Sequence, residues 1–268
     1  MLKRVALKHA AVKHLALKHL AMIAALALAP AAAFAQTAVE HIAMGDREYA
    51  AMNAPGALAN YEAALAADSS NYEALWKASR EAVDLGEFND DDAQRKALYA
   101  KAEQYGRRAV AANPADAEGH FVLARAIGRH ALSVGKRDRV KLAGEVRTHA
   151  LEALNLAPNH AGALHIMGVW NAEVMRLSGL ERFFAKNLLG GKVFNEANWN
   201  DAVRYMERAV AAEPDRITHR LDLGRIYADV GNKAKAREQF EWVVRATPRD
   251  YNDANYKTEA EAALRDLH

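Results

Sequence analysis

No stretch of this chain alternates apolar and polar residues with the two-residue period of a strand. Its apolar positions recur at helical spacing, and glycines are few outside turns. Four segments end alike: RAVAANP (Arg108–Pro114), EALNLAP (Glu152–Pro158), RAVAAEP (Arg208–Pro214) and WVVRATP (Trp242–Pro248). Each closing proline cannot continue a helical hydrogen-bond ladder, so it stops one helix and opens the next unit. The pattern predicts an all-α solenoid of antiparallel helix pairs. A degenerate first pair covers 36–71, with Gly45, Ala57, Tyr61 and Ala64, and four pairs cover 72–250. An amphipathic helix in 251–268 covers the last apolar face of the stack.

The spacings between Pro114, Pro158, Pro214 and Pro248 are 44, 56 and 34 residues. The last equals the tetratricopeptide period. Within Ile217–Asp250, Leu223-Gly224, Tyr227, Ala236, Phe240 and Pro248 stand where that right-handed repeat places Leu-Gly, Tyr, Ala, Phe and Pro. Small residues (Gly224, Ala236; Gly168, Ala202 one unit earlier) let two helices approach, and the aromatics fill the remaining space. Ser69 stands where a first proline would. From it, the second and third units run 11 and 10 residues beyond 34, about one and a half extra turns for each helix of a pair. The fourth unit is 22 residues longer, and its excess falls between Glu173 and Ala202 as an insert at about 177–198. There Leu180, Phe183, Phe184 and Leu188 form one apolar stripe, which either covers repeat core or is a lid over a pocket beside His165 and Trp170.

Three blocks add a family resemblance: Leu75-Trp76-Lys77-Ala78-Ser79-Arg80, His165-Ile166-Met167-Gly168-Val169-Trp170, and Arg182-Phe183-Phe184-Ala185-Lys186. In these the chain resembles the regulator of microtubule dynamics family of tetratricopeptide proteins, over roughly Tyr72 to Leu267. The resemblance implies a non-catalytic helical-repeat domain for protein association and, in membrane-tethered members, for phospholipid contact.

In the tetratricopeptide repeat the first helix of each pair lines a concave face through positions 2, 5, 9, 12 and 13. That mapping places Trp76, Arg80, Phe121, Arg125, Arg129, His165, Glu173, Leu221, Arg225 and Asp229 in the groove. Position 9 is arginine in three of the four pairs, beside an apolar or aromatic row at position 5. Guanidinium forks bind carboxylate or phosphate, so an elongated ligand with an anionic group and an apolar portion is one reading. The other pairs these arginines with nearby acids such as Glu73, Asp84, Glu118 and Asp229.

Residues 1–35 have the layout of a cleaved secretory signal: five Lys/Arg, an apolar run Leu20–Ala29, and Ala33-Phe34-Ala35 before Gln36. The apolar run is too short to span a bilayer, so the mature chain is expected to be periplasmic or secreted without a membrane anchor. Removing five of the 36 basic residues leaves 31 against 34 acidic ones, a net of −3, with no nucleic-acid footprint. The chain has no cysteine, which excludes disulfides and thiolate chemistry. His149, His160 and His165 lack metal-ligand spacing, and Asp90-Asp91-Asp92 reads as a solvated turn opening a helix. With no nucleophile elbow or phosphate loop, the expectation is a non-enzymatic module without cofactor or metal. Its partner is a protein or peptide segment; a phospholipid or other amphiphile, and a purely structural accessory role, are the alternatives.

Overall fold

The computed structural model describes residues 37–179, 181, 183 and 192–267, which form helices joined by turns and short irregular links, without a strand among them. The helices in chain order are α1 (37–50), α2 (Ala54–Ala67), α3 (Tyr72–Glu87), α4 (Asp92–Ala112), α5 (Ala117–Ala131), α6 (Lys136–Leu156), α7 (Ala161–Arg176), α8 (Trp199–Ala212), α9 (Ile217–Asp229), α10 (Lys233–Arg245) and α11 (Asp253–Asp266). A short 3-10 turn, Lys192–Glu196, precedes α8. The expected signal peptide lies outside the described residues, as do Leu180, Phe184 and Leu188 of the insert.

Local chemistry fixes the helix starts. Asn71, Asp91, Asp116, Asn198 and Asn232 each accept a backbone N–H of the first turn of the helix that follows. Asp91 takes two, from Ala93 and Gln94, so the acidic run at 90–92 opens α4. Prolines 114, 158 and 214 follow the last residues of α4, α6 and α8 by two positions. The extra length of the second and third pairs falls mainly in their second helices. Both α4 and α6 have 21 residues, whereas α9 and α10 have 13 each.

Close approach within pairs comes from small residues on bulky ones. Gly45 lies under Tyr61, Gly168 under Met206 and Gly224 under Phe240, where an added Cβ would overlap the facing side chain. Fully buried alanines (Ala78, Ala102, Ala124, Ala150, Ala202 and Ala236 among them) continue this seam along the stack. The first helices α3, α5, α7 and α9 contact one another in succession, and the buried residues gather in three core clusters along the stack.

In a linear solenoid each repeat touches only its neighbours. Here the chain closes on itself. Helix α11 packs on α9 and α10, and the residue before it, Asn252, reaches the last turn of α3. Asn252 Nδ2 donates to the Asp84 carbonyl at 2.8 Å, across 168 residues of sequence. The Phe88 and Tyr256 rings meet edge to face at 5.3 Å.

Candidate functional site

Along α3, Glu81, Asp84 and Glu87 at i, i+3 and i+6 form a stripe of acids. From α5, Arg125 reaches Asp84 at 2.5 Å and Glu87 at 3.5 Å, and Arg129 pairs with Glu87. Arg80 pairs with Glu81 at 2.6 Å and lies 3.7 Å from the Tyr49 ring centroid. The arginines at position 9 are therefore committed to neighbouring acids in this conformation. Burial pushes Glu81 up to about 7 against the pull of Arg80. The expected Asp84 pairing is present. Glu73 meets Lys77, Glu118 meets His160, and Asp229 meets Arg176.

The chain's own C-terminal segment lies against this stripe. Residues 246–252 are non-helical. Within them Asp250 pairs with Arg216 at 2.5 Å, and Asn252 is 3% exposed. Burial and the neighbouring Asp84 raise the Asp250 carboxyl although Arg216 opposes them. Asp253 folds the segment by accepting the backbone N–H groups of Arg249 and Asp250 at 2.7 and 2.8 Å. Tyr256, 6% exposed, faces Arg125, Arg129 and Glu87, and burial raises its phenol well above the usual value.

The other expected groove residues divide. Trp76 is half-buried against the first core, with Arg80 and Lys77 near its ring. Phe121 packs on His160 at 4.8 Å and over Gly162, which joins neighbouring repeats. Leu221 is 1% exposed and belongs to the core. Glu173 pairs with Arg176, which also reaches Asp229 at 2.5 Å. Arg225 bridges Asp222 at 2.9 Å and Glu259 at 3.0 Å.

His165 opens a relay between α7 and α9. Its Nε2 is 3.1 Å from Asp222 and its Nδ1 is 2.7 Å from His219 Nδ1. The consistent tautomers have His219 Nδ1–H donating to His165 and His165 Nε2–H donating to Asp222. Burial lifts the Asp222 carboxyl, but His165 and Arg225 outweigh it and hold it well below the usual range. Burial drives His219 down to about 4.

Two openings flank these elements. A cleft of about 510 Å³ lies between the α3–α4 turn and α11, with Asp84, Phe88, Asp90, Gln94, Tyr251 and Asn255 in its wall. A second of about 140 Å³ lies beside Trp170 and the insert, under Arg147, Asn171, Glu196 and Tyr205. Trp170 donates to the Ala143 carbonyl at 2.8 Å and meets Phe194 edge-on at 6.0 Å. Phe183 is helical and 56% exposed. Among the described residues, no His/Asp/Glu group is arranged to hold a metal ion, and no helix is long and apolar enough to cross a membrane.

Sequence reasoning missed Arg216, Asp250, Asn252 and Tyr256. The acid stripe on α3 facing arginines four apart on α5 was a readable charge pattern, but nothing local announces a contact made 168 residues away.

Paired helices, small-on-bulky seams and proline-closed turns define a tetratricopeptide-repeat protein. The fold is similar to that of a thermophilic tetratricopeptide protein of Thermus thermophilus. The TM-score is 0.57 at 22% identity, over 84% of this chain and 99% of that one. The sequence profile of the family described as regulator of microtubule dynamics protein 1-3 matches residues 41–268, and the chain belongs to that family. It is 27% identical over 205 residues to regulator of microtubule dynamics protein 1 of Bos taurus, covering 74% of this chain and 62% of that one. To the Homo sapiens protein of the same name it is 26% identical, over 71% of this chain and 60% of that one. The chain thus spans about three-fifths of the length of these relatives.

Proposed function

We propose that this protein is an exported, non-enzymatic repeat module that holds a segment of a partner protein along its concave side. One observation carries the reading: that side already holds a stretch of polypeptide, residues 249–256 of the chain itself. It does so with two ion pairs (Asp250–Arg216 and Arg249–Asp215), one carboxamide bond to a main-chain carbonyl (Asn252–Asp84) and one aromatic contact (Tyr256–Phe88). These are the three contact types by which a groove reads a peptide: charge, main chain and an aromatic anchor. The open cleft continues that surface beside Tyr251, which is 40% exposed. Export rests on the basic, apolar and small-residue layout of residues 1–35. A protein exported in this way does not meet microtubules, so the family's name is not carried over as its job. The polar lining of the larger cleft and the small volume of the one beside Trp170, room for about four or five waters, favour a peptide over an acyl chain.

Photo-crosslinking in the exporting cell tests this, with a benzophenone side chain in place of Tyr251 and, as control, in place of Arg204 on the outer helix α8. The reading expects one recurring polypeptide adduct from position 251 and none from 204. Indistinguishable adducts from the two positions contradict it, and stoichiometric phospholipid in native mass spectra of the purified protein supports a carrier instead. Amino-terminal sequencing of the mature protein, expected to begin at Gln36, tests export.

A further inference from the structure

The sign of the charge in the open cleft is opposite to the one the groove arginines suggest. Arg80, Arg125 and Arg129 are neutralised by Glu81, Asp84 and Glu87 and stand behind the wall. Among the described residues no lysine, arginine or histidine lines the opening. Its formal charges are Asp84, tied to Arg125, and Asp90. Of the acidic run, Asp91 caps α4 and Asp92 pairs with Arg95 and Lys96, which leaves Asp90 on the cleft. The carboxamides of Gln94 and Asn255 supply further acceptors, and Phe88, Tyr251 and Leu98 supply ring faces and apolar surface.

An anion entering here would meet no cation among the lining residues; Arg95, at the Asn89 carbonyl, is paired with Asp92. A lysine or arginine side chain meets what it requires. Its methylene stem lies on apolar surface, its charge sits near aromatic faces, and its N–H groups find carboxylate and carboxamide oxygens. The two walls belong to opposite ends of the chain, α3–α4 and α11, so an occupant touches both sides of the closure.

We propose that the cleft between the α3–α4 turn and α11 receives a lysine or arginine side chain of the partner's segment, with its cation at Asp90. This rests on the reading of the concave side as a peptide-binding surface, and names the chemistry of the segment.

The test is a titration of the whole mature chain, followed by the amide and carboxamide signals of residues 88–94 and 251–255 in nitrogen–proton correlation spectra. The titrants are N-acetyl-argininamide, N-acetyl-lysinamide and the amide of N-acetyl-glutamate. The proposal expects saturable shifts at Asp90, Gln94 and Asn255 with the two cations, weakening as salt rises. It expects affinity to fall about threefold to tenfold in Asp90→Asn. Equal or tighter saturation by the glutamate compound overturns it, as do cation shifts that never saturate or an affinity unchanged by Asp90→Asn. If crosslinking from position 251 captures a polypeptide while the cations fail, the binding module stands and the cationic segment falls. If the cations bind and no polypeptide is captured, the cleft chemistry stands and the scaffold reading falls.

Discussion

The carboxamide of Asn252 caps the main chain of a helix that ended 165 residues earlier. Helix α3 stops at Glu87, so the Asp84 carbonyl is among the last four, which have no partner within the helix. The Asn252 Nδ2 donor at 2.8 Å satisfies it from the C-terminal segment. That helix end is completed by the far end of the chain.

Asn252→Ala removes that donor inside a buried contact. The expected cost is about 1–2 kcal/mol, read as a fall of about 2–8 °C in the thermal midpoint. Asn252→Asp sets a carboxylate against the carbonyl and is expected to be worse. A midpoint unchanged in both variants would show that the contact contributes nothing.

Arg216→Met leaves Asp250 buried beside Asp84 without its cation. A fully buried pair loses about 3–5 kcal/mol when broken; the Arg216 side chain is 33% exposed, so about 2 kcal/mol is expected near neutral pH. The difference from the parent shrinks on acidification, because a protonated Asp250 needs no partner. Chemical denaturation of both proteins at pH 7 and at pH 4.5 reads the two values.

Two glycines give opposite signs. A Cβ on Gly224 would overlap the Phe240 ring, which is 1% exposed and cannot yield, so Gly224→Ala is expected to cost about 1–3 kcal/mol. A Cβ on Gly144, inside α6, meets nothing within 4 Å, so Gly144→Ala gains about 0.5–1 kcal/mol of helix propensity. Urea denaturation midpoints compare them directly.

Much of this was legible in the sequence, and the rest was not for a physical reason. Gly224 and Phe240 fall within one 34-residue period, so pattern alone pairs them; the caps at Asn71, Asp91 and Asn232 are equally local. The arginines at position 9 were found, but their partners Glu81 and Glu87 were not. Whether a guanidinium faces solvent or a neighbouring helix depends on how adjacent repeats stack, which periodicity does not encode. Leu221 was expected in the groove and is core, because the register of α9 turns it inward. The closure by Asn252 and Tyr256 depends on the superhelical curvature summed over all the repeats, and no local signal carries that sum.

Stability is expected to fall on acidification through His219. Burial lowers it to about 4 from an ordinary value of about 6.5, with the neighbouring His165 and Arg216 acting in the same direction and Glu213 opposing. The folded state therefore disfavours the protonated ring. The contribution is fully present above about pH 6.5 and is lost as the pH falls towards 4. His219→Gln removes this part of the slope, while His149, lowered by burial and by His120, keeps its own. Denaturation free energies at half-unit steps from pH 7 to pH 4 separate the two proteins; parallel curves would contradict the assignment.

The closure of the concave side by the C-terminal segment is tested most directly by proton nuclear Overhauser contacts between the Phe88 and Tyr256 rings, in protein with only phenylalanine and tyrosine protonated. Ring centroids 5.3 Å apart predict direct cross-peaks between the two side chains. Their absence, with both rings assigned and the α9–α11 contacts intact, would mean that the solenoid is open and that α11 only caps its end.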